Sequence, residues 1–126
     1  MSLCLAAGGK VTLLALSSFT LIWTHSVEKV DWQEDWQVTQ NGLVLSEARV
    51  KGSGAGMDPP EGAQFDGTWW RYRPRLDPLP ELTLARSGAT ISGWRFCAGE
   101  QCRPIDDLVA GQGPVTLRAC TGQPDQ

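Results

Sequence analysis

Apolar residues alternate with polar ones along most of the chain, and glycine, proline and asparagine interrupt the alternation at short intervals. A period of two is typical of strands with one buried face, whereas sustained helical periodicity is absent. The pattern predicts ten strands, at 3–7, 11–16, 19–27, 32–40, 43–51, 68–73, 81–86, 90–97, 102–105 and 115–120. We therefore expect residues 1–126 to form a single all-β domain, an antiparallel β-sandwich or partly open barrel of about eight to ten short strands.

The connections between these strands differ in length. Residues 52–67 are predicted to be a long Gly/Pro-rich loop, because Pro59-Pro60 cannot donate to a strand ladder. Residues 74–80 are typical of an extended connector, and residues 105–109 are predicted to form a short helical turn. We expect residues 121–126 to be a frayed tail.

The only histidine, His25, lies on the apolar face of the strand predicted at 19–27. Glu34 lies on the apolar face of the following strand. If a tight turn at 28–31 joins the two strands, His25 is opposite Glu34 and Trp23 is opposite Trp36. The two ionisable side chains would then form a direct cross-strand pair.

Asn41-Gly42 is the strongest hairpin signal in the chain, since both central residues of a two-residue type I′ turn need a positive φ. A turn centred there pairs Trp36 with Glu47 and Glu34 with Arg49. The three strands would form an antiparallel meander, and aromatic side chains would line one end of it. The other end would carry an ionic set, made of His25, Glu34, Glu47 and Arg49.

Two interpretations of this ionic set remain open. It is either a buried network whose members satisfy one another's hydrogen bonds and charges and so fix the strand register, or a pit that binds a small polar or anionic ligand. Arg49 leads into a glycine-rich segment whose backbone N–H groups could converge on an anion, although a flexible connector is the alternative. The segment matches no nucleotide-binding motif. The candidate ligand-binding residues are therefore the ionic set together with Gly52, Ser53, Gly54 and Gly56.

Catalysis is the competing hypothesis, with His25 and Glu34 as an acid–base pair. Ser26 alternates to the opposite face, so the pair has no nucleophile fixed beside it. A metal held by His25, Glu28 and Glu34 would be repelled by Arg49. We therefore predict no catalytic residue, no metal site and no cofactor.

Four cysteines suggest an oxidising compartment. Cys97 and Cys102 flank a four-residue loop, and Cys4 and Cys120 lie in the first and last predicted strands. Of the three possible connectivities we favour Cys4 with Cys120 and Cys97 with Cys102, with free thiols or a metal site as alternatives. Disulfides predict a periplasmic or otherwise extracytoplasmic protein whose export segment has been removed.

The net charge of −3 and the scattered Lys and Arg residues exclude a nucleic-acid surface. The longest apolar runs are too short to span a bilayer, so no transmembrane segment is predicted. Trp69 and Trp70 are adjacent, so one of them must face outward from its strand.

Several segments resemble the bacterial family of domains of unknown function numbered 1850: WTHSVEK followed by W-x-E-x-W, then ARVKGSGAGM, LARSG and FCAGEQC. Members are often encoded beside TRAP transporters of the TAXI type, which import organic acids using an extracytoplasmic binding protein. The resemblance implies an envelope protein auxiliary to solute uptake. Together with the ionic set, it predicts a non-enzymatic accessory or small-ligand-binding protein, with TRAP components or a small organic acid as partner. It supplies no activity, so no catalytic residue carries over. A purely structural protein-interaction module is a third hypothesis.

Overall fold

The computed structural model describes residues 1–24, 31–51, 62–86, 93–111 and 113–121. These residues form eleven strands and one 3₁₀ helix: β1 (Ser2–Ala7), β2 (Lys10–Leu14), β3 (Ser18–Thr24), β4 (Asp31–Thr39), β5 (Gly42–Lys51), β6 (Gln64–Phe65), β7 (Trp69–Tyr72), β8 (Leu82–Leu84), β9 (Arg95–Ala98), β10 (Gln101–Pro104), the helix Ile105–Asp107 and β11 (Val115–Cys120). Four strands form one sheet in the order β2-β1-β11-β8, and seven form another in the order β10-β9-β3-β4-β5-β7-β6. The predicted all-β sandwich is confirmed.

The hydrophobic core fills the space between the two sheets, as expected where alternate residues of each strand point inward. Leu3, Leu5 and Leu117 of the smaller sheet and Leu21 of the larger one are fully buried. Phe19 stacks on Phe96 with ring centroids 5.2 Å apart. The remaining members of this core cluster are Ala7, Trp36, Val38, Leu43, Leu84, Ile105, Val109 and Val115.

Two disulfides fasten the strands, and both predicted pairings are confirmed. Cys4–Cys120 joins β1 to β11 across a sequence separation of 116 residues. Closing a loop of that length removes about 4 to 5 kcal/mol of unfolded-chain entropy in the loop-closure model. Cys97–Cys102 joins directly opposed residues of β9 and β10. No cysteine of the described chain is free.

The edge of the larger sheet is built from segments that were predicted to be irregular. β6 lies inside the predicted loop 52–67 and pairs with β7. In the 74–80 connector, Leu79 forms a β-bridge with Leu43, with both N–H···O distances 2.8 Å. A Cβ on Gly42 would lie 2.4 Å from the Leu79 carbonyl oxygen, and the φ of Gly42 is +125°. Gly42 therefore permits this close approach.

The first hairpin has a different register from the predicted one. Trp23 pairs with Trp32, and Leu21 pairs with Glu34. Asp31, expected in the turn, begins β4 and accepts a hydrogen bond of 2.7 Å from the Thr24 hydroxyl. The predicted pairing of His25 with Glu34 is wrong, because Leu21 occupies the position opposite Glu34. The strands are joined by residues 25–30, so His25 itself lies outside the described residues.

The second hairpin also differs, because a β-bulge interrupts it. Thr39 pairs with Gly42, so the turn centres one residue before the predicted position. Asp35 then pairs with Glu47 while Trp36 pairs with Leu45, which leaves Ser46 as the extra residue. The Ser46 hydroxyl donates to the Asp35 carbonyl oxygen at 3.0 Å.

This bulge reverses the faces on which the later residues of β5 lie. Glu34 pairs with Ala48, whereas Arg49 pairs with Gln33. The predicted pairs Glu34–Arg49 and Trp36–Glu47 are therefore wrong. Glu34 shares the inner face of its sheet with the core residue Trp36, and Arg49 lies on the outer face.

Candidate functional site

The outer face of the seven-stranded sheet carries an ionic network, here called the outer network, made of Gln33, Asp35, Glu47, Arg49, Asp66 and Arg71. Arg49 is at its centre, with a side chain only 11% exposed. Its Nη1 donates to Asp35 at 2.7 Å and to Glu47 at 2.5 Å. Its Nη2 donates to Asp35 and Gln33, and its Nε donates to Gln33. All five guanidinium N–H groups therefore have partners within the protein.

Arg71 extends this network to the sheet edge. It donates to Glu47 at 3.2 Å and to Asp66 at 2.7 Å. Asp66 also accepts the backbone N–H groups of Trp69 and Thr68, and these bonds together with Arg71 lower its pKa to about 2. Arg49 likewise holds the pKa of the Asp35 carboxyl below its usual value. Three carboxylates surround two guanidinium groups, so the outer network offers little to an anionic ligand.

Glu34 occupies a contrasting environment on the inner face. Burial raises the pKa of its carboxyl, and a hydrogen bond of 3.1 Å from the Trp36 indole partly opposes that rise. Ala48 separates Glu34 from Tyr72 in the same cross-strand row. The pKa of the Tyr72 hydroxyl is raised by burial and by the charge of Glu34. Within the described ranges no Lys or Arg forms a salt bridge with Glu34.

The neighbouring row of the inner face is aromatic. Trp32 pairs with Val50, and Val50 pairs with Trp70. Trp23 stacks on Trp32 from the β3 side, with centroids 5.7 Å apart, and Phe65 packs on Trp70 from the β6 side at 4.9 Å. Trp32 and Trp70 are therefore the cross-strand neighbours of Val50 on its two sides.

These two rows form what we call the inner aromatic site, made of Trp32, Trp70, Glu34 and Tyr72 above a floor of Ala48 and Val50. The floor residues are 1% and 0% exposed, yet they are not members of the core cluster between the sheets. The indole Nε1–H groups of Trp32 and Trp70 are buried and have no hydrogen-bond partner in the described part of the chain. Buried donors without a partner are rare in folded proteins, so these two N–H groups require a physical explanation.

The candidate residues are thus divided between two faces. Glu34 belongs to the inner aromatic site, and Glu47 and Arg49 belong to the outer network. His25, Gly52, Ser53, Gly54 and Gly56 lie outside the described residues. Sequence reasoning missed the parts played by Asp35, Gln33 and Asp66, and alternation alone could have placed the first two on the outer face. It also left Trp70 undecided between two faces.

The surface beside the outer network contains a pocket of about 530 Å³ at the β6–β7 edge. Its lining includes Arg71 together with Glu47 and Asp66, and both carboxylates already bind the Arg71 guanidinium. Among the residues that the structure covers, no group of three or more His, Cys, Asp or Glu side chains could hold a metal ion. The described residues also include no helix long and apolar enough to cross a membrane.

Comparison with known proteins identifies a family but no characterised relative. No curated protein and no solved structure matches the chain. The family model described as "Domain of unknown function (DUF1850)" matches residues 19–105. This range contains β4 to β10 and all but the first residue of β3, so it includes both the outer network and the inner aromatic site. The match covers more than half of the sequence, and the chain therefore belongs to the DUF1850 family.

Proposed function

We propose that this protein is a non-enzymatic, extracytoplasmic accessory of a TRAP-type solute uptake system, and that it binds a small ligand in the inner aromatic site. One observation carries the binding proposal: Trp32 and Trp70 hold buried N–H donors without a partner in the described chain, on either side of the same small residue. Ligand sites commonly combine aromatic walls with a few polar groups, and here Glu34 and Tyr72 supply those groups.

The outer network is less suited to binding a ligand, which also favours the inner aromatic site. Every N–H group of Arg49 already has a partner, so a ligand there would have to displace Asp35, Glu47 or Gln33. Displacing a charge-assisted bond leaves a carboxylate unpaired, which costs about 1 to 3 kcal/mol or more. At the inner aromatic site, Glu34 has no salt bridge within the described residues that a ligand would have to break.

The proposed compartment is supported by the two disulfides, which persist in oxidising environments. The proposed partnership with TRAP components is supported only by the family membership and its frequent genomic setting. Calorimetric titration of this protein with the purified extracytoplasmic binding protein of a neighbouring TRAP system tests that partnership. A saturable heat is expected, and no heat with or without the transported acid would contradict it.

Thermal unfolding in the presence of a compound panel tests the binding proposal. The panel contains small carboxylates, amino acids, sugars and alkylammonium compounds. A ligand at 100 times its dissociation constant adds about 2.7 kcal/mol to the free energy of unfolding, which raises the Tm by several degrees in a chain of this size. At least one compound is expected to do so. If no compound raises the Tm at saturating concentration, the protein-interaction hypothesis replaces the binding one.

A further inference from the structure

We infer that a small apolar pocket at one edge of the sandwich binds a short aliphatic monocarboxylate, at a place separate from the inner aromatic site. The pocket, here called the edge pocket, has a volume of about 210 Å³. It lies between β2, an edge strand of the smaller sheet, and β10, the edge strand of the larger sheet at the end opposite β6. Its space, its apolar walls and an arginine at its rim each support this class of ligand.

The walls of the edge pocket are apolar side chains that belong to the core or pack against it. Phe96 is buried, and the partly buried walls are Leu14, Leu16, Ala98 and Leu108. At roughly 30 Å³ for a water-sized group, the pocket has space for about seven such groups. An alkyl chain of five or six carbon atoms fits that space, and its transfer from water to apolar walls is favourable.

Two polar side chains of β10 form the rim of the edge pocket. Arg103 is directly opposite Phe96 in the β9–β10 ladder. Gln101 is directly opposite Ala98. Cross-strand partners point to the same face of a sheet, so Arg103 and Gln101 lie on the side of the pocket. Both residues are exposed, and the apolar space therefore opens to solvent beside their polar groups.

The charge at the rim selects an acid over an amine or an alcohol. Within the described residues, Arg103 forms no salt bridge. A guanidinium offers a carboxylate two parallel N–H donors, and the neighbouring Gln101 amide can supply a further one. A monocarboxylate whose alkyl chain occupies the pocket would keep its charged group at the rim, in solvent and within reach of Arg103.

Hydrogen bonds and a disulfide hold the surroundings of the edge pocket in place. Leu16 donates its backbone N–H to the Leu14 carbonyl oxygen at 3.0 Å. The Thr12 hydroxyl donates to the carbonyl oxygen of Leu108 at 2.7 Å. The disulfide that joins β9 to β10 is attached to β10 between the two rim residues. Walls that are already ordered lose little conformational entropy when a ligand binds.

NMR titration of the folded protein, labelled with ¹³C in its leucine methyl groups, tests the inference with acetate, butanoate and hexanoate. Hexanoate should shift the methyl signals of Leu14, Leu16 and Leu108 saturably. Its dissociation constant should be lower than that of butanoate by about 3- to 4-fold for each added methylene, because each methylene leaves water. 1-Hexanol should bind about 3- to 10-fold more weakly than hexanoate, since it has no charge to pair with Arg103.

Three variants complete the test. Arg103→Gln should weaken hexanoate binding by the same 3- to 10-fold factor, about that of the missing charge, and should leave 1-hexanol binding unchanged. Ala98→Leu fills the edge pocket and should abolish the methyl shifts. Arg118→Gln is the matched control, because it removes an exposed arginine from β11, two strands away from β2. Its affinity for hexanoate should equal that of the wild type. If Ala98→Leu does not fold, Arg103→Gln carries the test, since Arg103 is exposed.

The inference is overturned if acetate and hexanoate bind equally well, or if Arg103→Gln binds hexanoate as the wild type does. It is also overturned if no compound shifts the three leucine signals, and a partner's apolar side chain would then be the better candidate for the pocket. Hexanoate that shifts the indole signals of Trp32 and Trp70 alone would overturn this inference and support the inner aromatic site. Leucine shifts with unchanged indole signals would support the edge pocket by itself.

Discussion

Both faces of the seven-stranded sheet carry charged side chains, but the hydrogen-bonding groups of the two faces are satisfied to different degrees. On the outer face, Arg49 is surrounded by acceptors and every donor is used. On the inner face, Glu34 has a raised pKa, and two indole donors nearby have no partner in the described residues. A satisfied network stabilises a fold, whereas a buried donor without a partner reduces stability. Charged side chains on the two faces are therefore in different hydrogen-bonding states.

The largest expected effect comes from removing the centre of the outer network. Arg49→Ala leaves Asp35 and Glu47 close together without their shared counter-charge, and it should lower the free energy of unfolding by about 2 to 4 kcal/mol. Urea unfolding measures this loss. Arg49→Lys should recover only part of it, because an ammonium group cannot donate to three side chains in the same planar arrangement.

A cost below about 0.5 kcal/mol for Arg49→Ala would show that the outer network does not stabilise the fold, and the contrast between the faces would disappear. The variant should also retain the ligand-induced Tm shift of the wild type. Loss of that shift in a folded Arg49→Ala protein would move the binding site to the outer face.

A smaller effect of opposite sign is expected on the inner face. Glu34→Gln removes a partly buried charge and keeps an oxygen for the Trp36 indole, so it should raise stability at pH 7 by about 0.5 to 1 kcal/mol. The pKa of Glu34 is raised on folding, so the folded state binds its proton more tightly than the unfolded state. The wild type should therefore lose stability relative to Glu34→Gln as pH rises above 4.5, the ordinary pKa of the group.

This gain is measured by urea unfolding of both proteins between pH 4 and pH 7. A destabilised Glu34→Gln at pH 7 would mean that the carboxylate is paired in the folded state. Glu34 would then belong to a structural network, as one interpretation of the sequence holds.

The smallest expected effect concerns the edge of the outer network. The pKa of Asp66 falls from 3.8 to about 2 on folding, so its contribution to stability is complete above pH 3.8 and is lost as pH falls through about 2. Asp66→Asn should abolish this part of the acid sensitivity. Thermal unfolding at pH 2 and pH 5 should show a smaller difference in the variant than in the wild type. An unchanged difference would mean that Arg71 and Asp66 do not interact in solution.

Much of the architecture was predictable because it depends on local patterns. Alternation predicted the all-β fold and most strands, and the positions of Cys97 and Cys102 in a hairpin predicted their disulfide. The candidate site was not predictable in the same way, because it depends on register. The extra residue Ser46 moves Arg49 to the outer face of the sheet, whereas Glu34 lies on the inner face. Alternation within a single strand contains no signal for that bulge.

The register of the first hairpin could not be predicted from the sequence for a second reason. Its register follows from Trp23 stacking on Trp32 and from the bond between Thr24 and Asp31, both of which are cross-strand contacts. Charged residues at 28–31 predicted a tighter turn, because turn propensity is local and does not weigh those contacts. The edge strand β6 was missed for a related reason: two residues are too few to show a period.

The indole N–H resonances of the six tryptophans test the central claim most directly, because ¹⁵N-labelled indole groups give separate NMR signals that substitution can assign. The protein is titrated with the compound that most raises its Tm. The Nε1–H signals of Trp32 and Trp70 should shift with the same dissociation constant, and that of Trp69 should stay in place. Shifts confined to Trp69, or unchanged signals from Trp32 and Trp70 at saturation, would contradict the assignment of binding to the inner face.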